Sequence, residues 1–302
     1  LKKPSVYIIL INFGQWKHTI ECLESLRANI FKGFKVIIVD VQDVNQSISK
    51  LLSWIMQVDN KRFMLVPVKE NNGFAYANNV GIKEAFRNDD CEFIWILNND
   101  TVIHPDALQQ LFDYYRENHK NREIGIIGSK IMDYENKNII QNVGGTFNLR
   151  TGYSALIGLG EKDIGQFDDK EIQFDYVVGA SMFCHRSLIE KIGLMPECYF
   201  LYCEDIDWSI TARKAGYINV ICTSSIVYHK QGISTGAKLL NIDLHLKYKK
   251  YLYSSYKKLY KRHFAPLMPI AYFILFKQLA GRLYHRNFAE AKLILEVIFS
   301  NQ

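Results

Sequence analysis

The sequence predicts an α/β domain on a mostly parallel sheet with helices on both faces, followed by a basic helical tail. Three observations predict it. Over the first 130 residues, short apolar runs alternate with segments of 3.6-residue periodicity. Each run is followed at once by polar residues, where such a sheet presents its ligand-facing strand ends. From Leu244 to Ala289 there is no Asp or Glu, while Lys and Arg recur. We place a first domain at residues 1–235 and a C-terminal region at 236–302.

The elements follow in order. Val6–Ile11 is a continuous apolar strand, and Ile20, Leu23, Leu26 and Ile30 then share one helical face. Val36–Val39 is the second strand, and Ile48, Leu51, Leu52 and Ile55 mark the second helix. Phe63–Val66 is the third strand, followed by a helix from Phe74 towards Phe86. Phe93–Leu97 is the fourth. Pro105 suits the first turn of the helix that continues through Leu108, Leu111, Phe112 and Tyr115. Ile124–Ser129 is the fifth strand. Beyond residue 130 glycine-rich loops and hairpins precede a strand at Tyr176–Phe183 and a helix at Ser187–Ile192. A further helix runs from Asp205 to Ala215, with Gly216 as its stop, before short strands at Ile218–Cys222 and Ile226–Tyr228.

A chain of 302 residues with 48% apolar content can bury a sizeable core, which excludes wholesale disorder. The net charge of +6 is modest but concentrated in the tail, which points to an anionic partner, lipid or nucleic acid. No recognised nucleic-acid module accompanies it. Six cysteines without a CxxC pair or zinc spacing read as buried free thiols of a reducing cytosol. The run Val6–Ile11 is too short for a secretory signal. The sequence starts at Leu1 rather than Met, as expected of a chain trimmed at its N terminus.

Four clusters can carry chemistry. Asn98, Asn99 and Asp100 in "LNNDTVIHPDAL" end an apolar strand in polar groups. They form either a turn or the ligands of an oxygen-seeking cation that in turn holds a diphosphate. Glu204, Asp205 and Asp207 crowd a helix start behind Tyr199, Phe200 and Tyr202. They either cap that helix or supply a general base of raised pKa. His229 in "IVYHKQGIS" is a core histidine or a metal ligand. In "ENNGFAYANNVGIKEA", Gly73 turns the chain into a helix whose free N–H groups could meet a phosphate, although no phosphate-loop or dinucleotide fingerprint is present.

Taken together, "VYIILINFGQWKHTIECLESL", "VIIVD", "NNGFAYANNVGIKEA", "WILNNDTVIHPDAL" and the long stretch from Val177 to Tyr217, with "VYHKQG" after it, resemble the inverting family 2 glycosyltransferases. The likeness spans roughly residues 6 to 232 and is nearest the bacterial rhamnosyltransferase-like branch. The resemblance implies a GT-A (Rossmann-like) fold. It implies that Asp100 binds metal and diphosphate, with Asn98 in place of the usual first acid, and that His229 completes the metal shell. Asp205 would be the catalytic base, with Glu204 and Trp208 on the acceptor side. Asn12 and Asp40 would face the nucleoside, and Asn72, Gly73 and Asn79 the donor. Val41 replaces the Asn that often follows the second strand, a departure that bears on base recognition. The expected cofactor is Mg²⁺ or Mn²⁺. Asp100, Asp205 and His229 are expected to converge on one ionic centre.

The implied function is transfer of rhamnose or a related hexose from a dTDP- or UDP-sugar to a glycan or lipid-linked acceptor in surface polysaccharide synthesis. Two other readings are a nucleotidyltransferase, for which "INFGQWKH" lacks an activation loop, and a non-catalytic subunit of a polysaccharide assembly complex. In the tail, Tyr248, Leu252, Tyr256, Leu259 and Tyr260 share a helical side, and the apolar run Phe264–Phe276 is too short to span a bilayer. This side either lies on the inner face of the cell membrane, giving a peripheral cytoplasmic protein, or packs on the core or a second copy.

Overall fold

A computed structural model describes residues 5–58, 61–168, 170–230 and 242–300. Gln231 and Gly232 of the "VYHKQG" stretch and the 235/236 boundary lie outside the described residues. The strands are β1 (Ser5–Asn12), β2 (Phe34–Val41), β3 (Phe63–Val68), β4 (Cys91–Asn98), β5 (Thr101–Ile103), β6 (Ile124–Asp133), β7 (Ile140–Asn142), β8 (Gly145–Phe147), β9 (Ser154–Leu156), β10 (Ser181–His185) and β11 (Ile218–His229). The main sheet runs β3-β2-β1-β4-β10-β6-β11-β5, with β7 on β6, while β8 and β9 form a separate hairpin. The first four strands in space are parallel, with Asn12 beside Asp40 and Ile11 beside Asn98.

The helices are α1 (Trp16–Ala28), α2 (Ser47–Val58), α3 (Phe74–Phe86), α4 (Ala107–Asn118), α5 (Arg186–Ile192), α6 (Glu204–Lys214), α7 (Ile242–His263), α8 (Met268–Tyr284) and α9 (Phe288–Phe299). Strand side chains alternate between two cores, so both faces must be apolar and the strands read as unbroken hydrophobic runs. Val6, Ile8 and Leu10 meet Leu23, Leu51 and Leu108 of α1, α2 and α4. Tyr7 and Ile9 meet Ala77, Leu188 and Trp208 of α3, α5 and α6.

Several expectations change. The strand expected at Tyr176–Phe183 forms only from Ser181, because β10 inserts antiparallel between β4 and β6 and the preceding residues turn into the cleft. The two short strands after Gly216 are one strand, β11, with a register shift between Cys222 and Ile226. Pro105 precedes the N-cap Asp106 rather than entering the first turn of α4. Ile30 lies past the end of α1 and is exposed. Five cysteines are buried and free as expected, but Cys198 is exposed.

The tail packs on the first domain. Tyr256, Leu259 and Tyr260 of α7 sit with Phe147, Tyr199 and Ile206 in a third core cluster. Of the side of α7 that the sequence offered to membrane or core, Tyr256, Leu259 and Tyr260 are therefore held by the core. Each such aromatic or leucine side chain removed from water contributes about 1.5–3 kcal/mol. Lys257, buried in the helical layer, donates to the carbonyls of Val297, Ile298 and Ser300, closing the C-terminal end of α9. No helix among the described residues is long and apolar enough to cross a membrane.

Candidate active site

A cleft of about 530 Å³ opens beyond the carboxyl ends of β1, β2 and β4. Its floor is Ile11, Phe13, Val41, Asn98 and Asn99, one wall is Val178–Ala180 with Glu204 and Asp205, and His229 closes one end. Leu244, Lys247, Tyr248 and Tyr251 of α7 form the roof. Tyr251 stacks on Phe200 with ring centroids 4.3 Å apart, and Ser255 donates to the carbonyl of Leu201 at 2.9 Å. The tail thus completes the cleft, a part that the sequence did not announce.

Asp100 and His229 meet at this end. Asp100 Oδ1 lies 3.2 Å from His229 Nε2, and Asn98 Nδ2 lies 3.4 Å from the same nitrogen. The pairing of β5 with β11 brings them together, since Thr101 sits opposite His229. Gln141, a residue that sequence reasoning missed, orients the imidazole. Its Nε2 donates to the His229 carbonyl at 2.6 Å, so its Oε1 is the atom 3.0 Å from His229 Nδ1. Nδ1 is then the donor to Gln141, and Nε2 faces the Asp100 carboxylate. That donor set fits a divalent cation of the Mn²⁺ or Mg²⁺ type. No group of three or more His, Cys, Asp or Glu around one point occurs among the described residues. The expected three-residue ionic centre is therefore corrected. Asp100 and His229 form a pair, and Asp205 belongs to another wall of the same cleft, placed there by the N terminus of α6.

Asp205 is half-buried. Its Oδ2 accepts from Gly179 N–H at 3.0 Å and its Oδ1 from Ile206 N–H at 2.8 Å. Burial raises its pKa above the ordinary carboxylate range, against those two hydrogen bonds, which lower it. Glu204 is buried, lines the cleft, and its Oε2 has no hydrogen-bond partner among the described atoms. Burial first, and then the adjacent Asp205 charge, raise its pKa too. Cys203, just before α6, sits at φ 68°, and Tyr202 at φ 70°, so the chain enters α6 through two left-handed residues.

Asn12 and Asp40 are fully buried beneath the cleft floor. Asn12 Nδ2 donates to Asp40 Oδ2 at 2.6 Å, Thr19 donates to Asn12 Oδ1 at 2.7 Å, and Asn99 Nδ2 donates to Thr19 at 2.8 Å. Asp40 Oδ1 has no hydrogen-bond partner among the described atoms, and burial raises the pKa of this carboxyl. This chain of bonds ties the ends of β1, β2 and β4 together.

Asn12 and Asp40 were expected to face the nucleoside but lie buried outside the cleft lining, and three further expected site residues have other positions. Asn79 is buried and fully engaged with Met195 N–H, the Met195 carbonyl and Glu197, so it holds the 193–200 loop rather than facing the cleft. Trp208 packs in the core, donates to the Gly193 carbonyl at 3.2 Å, and does not wall an acceptor site. Asn72 lies outside the cleft in a neighbouring surface groove. Gly73 lines the cleft, but with φ 98° and the Phe200 carbonyl 2.2 Å from where a Cβ would stand, its role is the close passage of two loops. The N–H of Phe74 is taken by that carbonyl at 2.9 Å.

Residues 7–193, more than half of the chain, match the family described as glycosyl transferase family 2. Over 207 residues the chain is 24% identical to the low-salt glycan biosynthesis hexosyltransferase Agl10 of Haloferax volcanii, covering 68% of this chain and 61% of that protein. The match therefore spans less than two thirds of that relative's length. Over 220 residues it is 25% identical to the rhamnosyltransferase WbbL of Escherichia coli, covering 70% of this chain and 78% of that one. Among solved structures it is similar to the mannosyltransferase PcManGT from Pyrobaculum calidifontis in complex with GDP-Man and Mn²⁺. The TM-score is 0.57 at 13% identity, over 97% of this chain and 85% of that one. At that identity the likeness is one of fold, the GT-A arrangement.

Proposed function

The chain belongs to glycosyl transferase family 2, and we propose that it is an inverting, metal-dependent transferase of rhamnose or a related hexose. The donor is a nucleoside diphosphate sugar, and the acceptor is a hydroxyl of a glycan or lipid-linked glycan. The observation that carries this reading is one cleft with Asp205 on one wall and His229, paired with the buried Asp100, at its end. The Mn²⁺ and GDP-Man in the Pyrobaculum structure, which shares this fold, support a cation and a nucleotide sugar as ligands.

Asp100, His229 and Asn98 would hold the cation, which supplies charge neutralisation for the departing diphosphate. Asp205 accepts the acceptor hydroxyl proton as the new bond forms between that oxygen and the anomeric carbon. The bond to the diphosphate oxygen breaks on the opposite side and its electron pair leaves with the diphosphate, so the configuration inverts. A raised carboxyl pKa suits a base working near neutral pH. Glu204, which retains its proton further up the pH scale than an ordinary glutamate, offers a hydrogen bond to an acceptor oxygen. The α7 roof excludes water from the reacting atoms.

Incubation with UDP-, dTDP- and GDP-sugars, with and without Mg²⁺ or Mn²⁺, tests the reading. A donor that binds the folded state raises its melting temperature, and the matching donor is slowly hydrolysed. Absence of any donor-dependent shift and of hydrolysis across the set would overturn it.

A further inference from the structure

We propose that the α8–α9 hairpin is a docking face for an anionic lipid surface. On α8, Phe273, Phe276, Ala280 and Leu283 are exposed at three- and four-residue spacing, one continuous helical stripe. On α9, Phe288, Leu295 and Phe299 repeat the pattern. Phe273 is 67% exposed, Tyr284 84%, Phe288 65% and Phe299 75%. The opposite sides of both helices are buried against Tyr253 and one another, through Leu275, Leu279, Ile294 and Ile298. The hairpin thus carries apolar side chains on its outward side as well as on its buried one, the reverse of what a water-facing surface requires.

Charge selects the occupant. Lys277, Arg286 and Lys292 are exposed among the aromatics. Of the two acids of the hairpin, Glu290 is buried with Tyr253 and Arg282, and Glu296 is paired with Lys250 at 3.0 Å. A second copy placed face to face would oppose lysine to lysine. A lipid surface with anionic headgroups takes the bases at its phosphates and the Phe and Tyr rings among the upper acyl carbons. Neither helix can cross a bilayer, so the hairpin lies in the plane. It packs behind α7, whose far side roofs the cleft. Docking therefore holds the enzyme at the membrane, where a lipid-linked acceptor presents its sugar. Only this last purpose rests on the glycosyltransferase reading, since the docking itself needs no catalysis.

Co-sedimentation of the full chain with vesicles of phosphatidylcholine alone, or mixed with phosphatidylglycerol, tests the proposal. The expected result is binding to the mixed vesicles at least ~10-fold tighter than to phosphatidylcholine alone. The triple variant Phe273→Ser, Phe276→Ser, Phe288→Ser weakens it at least ~10-fold, and Lys277→Glu with Arg286→Glu weakens it too. Both variants keep the circular dichroism and donor hydrolysis of the parent. Absence of binding to mixed vesicles, or binding that the triple serine variant leaves unchanged, overturns the proposal. So does a solution dimer that the same variant dissociates. Donor hydrolysis, read separately, reports failure of the enzymatic reading on its own.

Discussion

Arg262 Nε on α7 lies 2.6 Å from Asp207 Oδ2 on α6, joining the helix that roofs the cleft to the helix that begins beside Asp205. His263 Nε2 lies 2.9 Å from the other oxygen, and the Tyr199 hydroxyl donates to Asp207 at 2.8 Å. Burial alone would raise the Asp207 pKa, but His263, Arg262 and Tyr199 hold it down at about 2. A lowered folded-state pKa contributes stability above the unfolded value and loses it as pH falls towards the folded one. Acid unfolding of the parent should therefore steepen between about pH 4 and pH 2. Asp207→Ala, which leaves three polar partners facing an empty site, should cost about 3–5 kcal/mol in urea unfolding at pH 7.

Glu204 and Asp205 carry the opposite sign. Their folded pKa values are raised, so their contribution is fully favourable below the unfolded carboxylate range and is lost as pH rises through the folded values. Glu204→Gln should raise the melting temperature at pH 8, by about 1–2 kcal/mol of stability, and flatten its decline with pH. Calorimetry at pH 5 and pH 8 reads this, and a lower melting temperature of the variant at pH 8 would contradict it.

Gln141 acts on metal binding through His229. Gln141→Leu removes the acceptor at Nδ1 and the clasp on the His229 backbone, so Mn²⁺ affinity in the presence of a nucleoside diphosphate should fall about 10–100-fold. Isothermal titration measures it, and an unchanged affinity would detach Gln141 from the cation site.

Much of the fold was legible in the sequence because β1, β2 and β4 are buried on both faces and so appear as unbroken apolar runs. The antiparallel insertion of β10 was not, since pairing with β4 and β6 depends on residues far away in the chain. The three-residue β5 was hidden inside what looked like a turn after Asp100, yet it brings His229 to that carboxylate. Spacing placed Trp208 one turn into α6, but only packing decides that this face meets the core. The aromatic side of α7 has the same periodicity whether it meets lipid or protein, and only packing places its Tyr256, Leu259 and Tyr260 against Phe147, Tyr199 and Ile206. Gln141 lies in an irregular stretch with no periodic signal, and its contact with His229 follows from β7 pairing on β6.

The central claim is that the Asp205 carboxylate removes the acceptor proton. Turnover of Asp205→Asn at saturating donor and acceptor, alongside donor affinity by thermal shift, tests it most directly. A base typically contributes ~10²–10⁴-fold, so turnover should fall at least ~100-fold while donor affinity stays within about twofold. Turnover like that of the parent, with donor binding intact, would contradict the account.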